Sequence, residues 1–246
     1  MTSNKSGGFV ETVKTVLIAI FIALIVRTVA YEPFNIPSGS MLPTLLIGDY
    51  LFVSKFSYGY SKHSLPFSLP LIPGRILVDE PERGDVVVFK LPTDNKTDFI
   101  KRIIGLPGDR IQVIRGILHI NGKPVERKRA GEFVRQDPWT GLYRQIPQFI
   151  ETLPSGRQHL ILEETDEGLM DNTPVYTVPA DHYFGMGDNR DSSRDSRFLD
   201  DVGFIPRENL VGRAEFLFFS IENASSWQVW KWPSALRTDR FFEGIE

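Results

Sequence analysis

Three short segments bring together side chains that could do chemistry. In Ile36-Pro37-Ser38-Gly39-Ser40-Met41-Leu42-Pro43-Thr44, two prolines stiffen the backbone around Ser-Gly-Ser, and Gly39 permits dihedral angles or a close approach that other residues resist. A serine on such a bend exposes its hydroxyl beside backbone N–H groups that can converge on one point, as an acyl-transfer nucleophile with an oxyanion hole requires. Alone, the segment also reads as an ordinary turn. In the run Asp98 to Asp109, strand alternation puts Phe99, Lys101 and Ile103 on one face and Ile100, Arg102 and Ile104 on the other. Lys101 is then flanked by apolar groups. Burial disfavours its ammonium form and lowers the pKa from about 10.4 toward the range where a neutral amine accepts a proton. The plain alternative is an edge-strand lysine reaching solvent; Arg102 cannot be the base, because a guanidinium stays protonated. The third segment, Gly185 to Arg197, packs charges of both signs around Ser192, Ser193 and Ser196. It fits an internally paired Asp-Arg scaffold that presents a serine, with a solvated polar loop as the alternative.

Other chemistries are excluded by residue type or spacing. There is no cysteine, hence no disulfide framework, thiol nucleophile or Cys-ligated metal. His63, His119, His159 and His182 are scattered, which signals neither a Ser-His-Asp triad nor a histidine zinc site. A calcium loop starting at Asp188 would put Arg190 at its third ligand position, and one starting at Asp191 would put Ser196 where glycine is required. No metal or cofactor is expected. With 28 Lys plus Arg against 31 Asp plus Glu, the net charge of -3 does not advertise nucleic acid as a partner. A 41% hydrophobic share suits a chain of 246 residues that buries a core.

The elements that must position these residues begin with an anchor. Thr15 to Val26 is uncharged and mostly apolar, and the apolar stretch extends from Phe9 to Tyr31. At 1.5 Å per residue this spans a hydrocarbon core of about 30 Å, with Arg27 snorkelling toward headgroups. A cleaved secretory signal ending near Thr28-Val29-Ala30 is the alternative, disfavoured by the full-length span and by Arg27. Lys5 and Lys14 precede the uncharged run Thr15 to Val26 whereas Thr28 to Ser54 holds neither Lys nor Arg, so the amino terminus is expected in the cytoplasm and the rest outside it. The exported part reads as a mostly β domain. Short Val/Ile/Phe-rich runs at Tyr50 to Phe56, Asp85 to Lys90, Phe99 to Ile104, Arg110 to Ile114, Ile117 to Ile120 and Val211 to Ile221 have strand lengths, and Asn121-Gly122 marks a hairpin turn. Two stretches look inserted: the proline-rich Ser61 to Glu82, and Glu126 to Asp181. Aromatics at Phe216, Phe218, Phe219, Trp227, Trp230 and Trp232 suggest either a face resting at the bilayer interface or a buried aromatic core.

Taken in order behind one anchor, these segments resemble the bacterial type I signal peptidases, or leader peptidases, a family of Ser-Lys dyad serine peptidases. The strongest match is Glu32 to Leu45, joined by Arg83 to Lys90 within a longer match to Asp109, and by Gly187-Asp188-Asn189-Arg190-Asp191. The resemblance implies a compact antiparallel β catalytic domain behind a single transmembrane helix. Residues 1–8 would be cytoplasmic, 9–31 the anchor and 32–246 the extracytoplasmic domain, with its core in about 32–60, 83–125 and 182–222 and a β-rich insertion at 126–181. It implies Ser40 as nucleophile, Lys101 as general base, and Ser38 with the Ser40 N–H as oxyanion hole. Ser193 would hydrogen-bond the Lys101 amine, and Arg102 with Asp188 and Arg197 with Asp195 would form supporting ion pairs. Ile36, Pro37, Val88 and Ile100 would wall shallow pockets for small side chains at the first and third residues before the cut. Secretory preproteins would be the substrates, and membrane lipid and the protein-export translocon the surroundings, at the outer face of the bacterial cytoplasmic membrane. The stretch Phe198 to Val202 is longer than in the relatives and puts the loop beyond Arg197 in question. Two other readings are a self-cleaving Ser-Lys repressor, disfavoured by the membrane helix, and an inactive anchored β domain that binds exported proteins.

Overall fold

The computed structural model describes residues 5–65, 68–136, 141–222 and 232–245. The first element, α1 (Lys5–Val29), contains an apolar span, Gly8–Val29, with a mean hydropathy of 2.4 in its most apolar window. The span packs against almost nothing in the protein. A helix apolar on every side needs an apolar surrounding, and this one has the length and composition to cross a membrane. Two of its three threonine hydroxyls bond back to carbonyls one turn earlier, Thr12 Oγ1 to Gly8 O at 2.8 Å and Thr15 Oγ1 to Glu11 O at 2.9 Å, which satisfies them within the helix.

Helix α1 stops short of the expected Tyr31. From that residue the chain runs as a strand, because Tyr31 to Asn35 pair with Tyr50 to Ser54. The strands in chain order are β1 (Tyr31–Asn35), β2 (Asp49–Ser54), β3 (Tyr60–Ser61), β4 (Arg75–Ile76), β5 (Val86–Lys90), β6 (Asp98–Gly105), β7 (Arg110–Ile114) and β8 (Ile117–Ile120). There follow β9 (Lys123–Pro124), β10 (Glu126–Gln136), β11 (Tyr143–Thr152), β12 (Gln158–Leu162), β13 (Tyr176–Thr177), β14 (His182–Met186), β15 (Ile205–Pro206) and β16 (Leu210–Ser220). The fold is mostly β and its strand pairs are antiparallel. A seven-stranded sheet in the order β1-β2-β16-β5-β6-β14-β15 carries the candidate chemistry, and β13-β7-β8-β9 form a second sheet. Asn121 and Gly122, both at positive φ, make the tight β8–β9 turn.

The central strand β5 reads Val-Val-Val-Phe because both of its faces are covered. Val86 and Val88 pack with Leu51, Val53, Val211 and Leu217, whereas Val87 and Phe89 pack with Ile103, Tyr183, Ile205 and Leu210. Ile36, Met41 and Leu45 belong to the first of these clusters, so the segment carrying Ser40 is held down by three buried side chains. Strand β16 passes so close to β2 that a Cβ on Gly212 would lie 2.2 Å from the Ser54 carbonyl oxygen, which explains glycine there.

Of the stretch expected as an insertion after residue 125, Glu126 to Leu162 forms a separate sheet in the order β10-β11-β12, whereas Tyr176–Thr177 pairs with β7 in the second sheet. The proline-rich stretch folds as the β3–β4 pair, fastened by Arg75 to the carbonyls of Tyr58, Gly59, Glu208 and Leu210. Phe216, Phe218 and Phe219 are half-buried and stack with Tyr50 and Phe52 on the sheet, while Trp232 packs on Phe219. Trp227 and Trp230 lie outside the described residues. The long stretch after Arg197 closes into a compact turn in which the Phe198 carbonyl accepts from the N–H groups of Asp201, Val202 and Gly203.

Leu51 is fully buried at the centre of the first cluster. Its replacement by alanine leaves a cavity, and Leu51→Ala is expected to lower stability by roughly 2–5 kcal/mol, read as a lower unfolding midpoint of the detergent-solubilised chain.

Candidate active site

Strand β6 and the bend after β1 bring together the two residues expected to react. Lys101 Nζ lies 3.0 Å from Ser40 Oγ and donates to the Ile100 carbonyl at 2.8 Å. Lys101 is 3% exposed, and its ammonium also lies 5.3 Å from the Phe99 ring centroid. Burial pushes the amine down to about 8, against the upward pull of the Asp195 and Asp188 carboxylates. Such an amine holds a substantial neutral fraction slightly above neutrality and is within reach of a serine hydroxyl. That is the arrangement a general base and nucleophile need.

Each carboxylate near the amine is engaged by an arginine. Arg102, fully buried, grips Asp188 with Nε at 2.9 Å and Nη2 at 2.8 Å and also donates to the Gly84 carbonyl. Arg197 grips Asp195 in the same two-pronged way, at 2.9 Å for both bonds. Burial by itself raises both carboxyls, but the arginine charges and hydrogen bonds outweigh it and hold both below their usual range. Asp188 also accepts from Thr44 Oγ1, and Asp195 from the Gly187 N–H at 3.0 Å, so the two pairs brace the segments that carry Ser40 and Ser193.

Ser193 does not make the bond expected of it. Its Oγ is buried and has no hydrogen-bond partner among the described residues, while the Lys101 amine is taken up by Ser40 and the Ile100 carbonyl. The hydroxyl is turned against Gly187 instead, where a Cβ would come within 2.1 Å of it and within 2.5 Å of the Ser40 carbonyl oxygen. Only glycine fits between the two segments.

Ser40 lines a cleft of about 540 Å³ together with Lys101, Ser38 and all four expected wall residues, Ile36, Pro37, Val88 and Ile100. Ile36 and Val88 are buried, Ile100 is half-buried, and Pro37 and Ser38 are exposed at the rim. Phe34, Phe99 and Arg194 also line the cleft and were not expected there.

Sequence reasoning missed three groups that hold the site. Asn189 donates its backbone N–H to the Ser40 carbonyl at 3.1 Å and its Nδ2 to the Gly39 carbonyl at 2.9 Å, fixing the bend from behind. It lies inside a segment already singled out, and its amide was the available signal. Arg190 forms a buried two-pronged pair with Glu151, at 2.8 and 2.6 Å, and the buried His159 Nε2 lies 3.4 Å from the same carboxylate and 4.0 Å from Asp188. Glu151 and His159 sit on β11 and β12, where nothing in the sequence pattern marks them. Among the described residues, Glu163, Asp171 and Asp191 bring carboxylate oxygens within 4.8 Å of one another, the kind of group that could hold a cation, but none of them lines the cleft.

Comparisons with known proteins show the family of the chain. The family described as "Signal peptidase, peptidase S26" matches residues 9–219. Proteins named signal peptidase I from Rickettsia canadensis and Rickettsia typhi are 44% and 46% identical over 89% and 82% of this chain, covering 83% and 76% of their own lengths. One from Rickettsia rickettsii is 40% identical over 99% of this chain and 97% of its own. A solved signal peptidase I from Enterococcus faecalis is 25% identical and covers 55% of this chain and 97% of its own, with a TM-score of 0.32. With the family matched from helix α1 nearly to the end of β16, and relatives aligned over most of their lengths, this chain belongs to the signal peptidase family, peptidase S26, as a peptidase of the signal peptidase I class.

Proposed function

We propose that the chain cleaves signal peptides from exported preproteins with Ser40 as nucleophile and Lys101 as general base. The observation that carries this reading is the 3.0 Å contact between a dry amine and the Ser40 hydroxyl. Neutral Lys101 takes the Ser40 proton as Oγ attacks the scissile carbonyl, and the protonated amine returns that proton to the leaving nitrogen. The signal-peptide fragment remains as an ester on Ser40. Lys101, neutral again, draws a proton from water as its oxygen attacks the ester, then passes that proton to the departing Ser40 Oγ, which regenerates the serine and frees the signal-peptide fragment with a carboxyl end. The Ser38 hydroxyl and the Ser40 N–H would stabilise the oxyanion, and the pairs Arg102–Asp188 and Arg197–Asp195 would orient the reacting groups. Ser193, buried beside Gly187, would take up the amine in place of the Ile100 carbonyl and hold it toward Ser40.

Ile36, Pro37, Val88 and Ile100 would admit small side chains at the first and third positions before the cut and exclude larger ones. Helix α1 would cross the membrane once with Lys5 and Lys14 on the cytoplasmic side. The β domain, with residues 126–181 as its insertion, would then face outward, beside lipid and within reach of preproteins leaving the translocon.

Ser40→Ala and Lys101→Ala are expected to abolish cleavage of a model preprotein, with the cut located in the parent by mass spectrometry. Lys101→Arg should be equally inactive, since it restores charge but no neutral base. Undiminished turnover in Ser40→Ala would overturn the assignment. Ser38→Ala should retain slow activity, about 100- to 1000-fold below the parent in kcat. Because the base must be neutral, kcat/KM should rise with pH and level off above about 8, where the buried amine loses its proton. A flat profile between pH 6 and 9 would contradict that role.

A further inference from the structure

A second cavity, about 310 Å³, lies where α1 meets the β domain, lined by Leu24, Arg27 and Thr28 of the helix and by Lys55, His63 and Lys90 of the domain, among others. Its charges do not balance. Arg27 and Lys55 share one carboxylate, Glu32, each at 2.7 Å, and Lys90 pairs with Asp98 at 2.8 Å. Both carboxylates also line the cavity, so three cations face two anions. Hydrogen-bonding capacity is left over as well. The buried Lys55 ammonium has three protons and, among the described residues, two partners, Glu32 and the Ser64 carbonyl at 2.8 Å. Lys90 likewise has two, Asp98 and the Lys96 carbonyl at 3.0 Å. His63 is 4% exposed, with Nδ1 at 3.3 Å from Ser68 Oγ and Nε2 without a hydrogen-bond partner among the described residues. Burial pushes its imidazole down to about 4, and Nε2 is a donor toward the cavity in the tautomer whose Nδ1 accepts from Ser68 Oγ.

One surplus positive charge and several unspent donors around a cavity complement a monoanion with several acceptor oxygens. A phosphodiester is such a group. The cavity's place in the chain selects the source, because it opens at the last turn of the apolar span Gly8–Val29, at the depth of headgroup phosphates if α1 crosses the bilayer. Arg27 also borders an apolar groove along α1, lined by Ala19, Ala23 and Val26 with Tyr31, Pro33 and Phe52, so an anion carrying acyl chains finds an apolar track beside it. We infer that this cavity binds the phosphate of a membrane phospholipid, held by Arg27, Lys55, Lys90 and His63. Phe34 and Asp98 line both this cavity and the catalytic cleft, so the headgroup abuts a wall of the cleft.

The inference rests on α1 crossing the membrane, which alkaline carbonate extraction tests by itself: release of the chain would refute the anchor whatever the lipid result. The site is tested by native mass spectrometry of the full-length chain in mild detergent, titrated with phosphatidylglycerol, diacylglycerol or inorganic phosphate. The parent is expected to retain one phosphatidylglycerol and no diacylglycerol. Lys90→Gln, which loses a charged donor, and Thr28→Trp, which fills the cavity, should each weaken retention about tenfold or more. Unfolding midpoints confirm that the compared variants are folded, and because one removes a charge and the other only space, misfolding of either leaves the other decisive. Equal retention by the parent and a folded variant, or diacylglycerol retained as well as phosphatidylglycerol, would overturn the site. Binding of inorganic phosphate that displaces the lipid would overturn the lipid as its source.

Discussion

A lysine can take a proton near neutrality only where water is kept from its charged form, and the rest of this structure depends on meeting that condition at Lys101. Lowering the amine from 10.5 to about 8 disfavours the ammonium by on the order of 3 kcal/mol, and burial is the dominant cause. Two carboxylates nearby would undo that effect if they were free to pair with the amine. They are not free: Arg102 and Arg197 occupy Asp188 and Asp195 from two prongs each. Those buried pairs add little to stability as such, since their desolvation offsets much of the attraction. Their value lies in fixing where charge sits, so that the amine's nearest polar contacts are a hydroxyl and a carbonyl.

The same condition explains the sheet order. β6 lies between β5 and β14 in the interior of the seven-stranded sheet, and Lys101 is opposite Val87 with the loop after β14 folded over it. An edge strand would have let the amine reach water. The Ser40 bend is brought to this interior position by Ile36, Met41 and Leu45, which enter the core on either side of the serine. Hydrophobic burial, which has no directional preference, therefore sets the distance between two polar groups.

Much of this could be read from residue types. The strands at β5, β6, β7 and β8 follow from β-branched runs bounded by turn residues, whereas the antiparallel class came only with the family resemblance. Ser40 and Lys101 stood out because prolines bracket one and apolar residues flank the other. The boundary at Tyr31 was not legible, since an aromatic at the end of an apolar run suits a helix end and a strand equally, and pairing with β2 decides it. Nor was the orientation of Ser193, which depends on the missing side chain of Gly187, or the Glu151–Arg190–His159 group, whose members come from β11, β12 and the loop after β14. Local pattern reports which face a residue occupies, but not which distant residue it meets there.

Asn189 joins the Gly39 carbonyl across 150 positions of chain, and its own N–H secures the next carbonyl along. The bend around Ser40 is therefore unfinished until the final third of the polypeptide has been made and folded onto it. A molecule still being synthesised carries Ser40 without the clamp that shapes its bend. The geometry that sets Ser40 beside Lys101 is thus completed only late in the making of each copy.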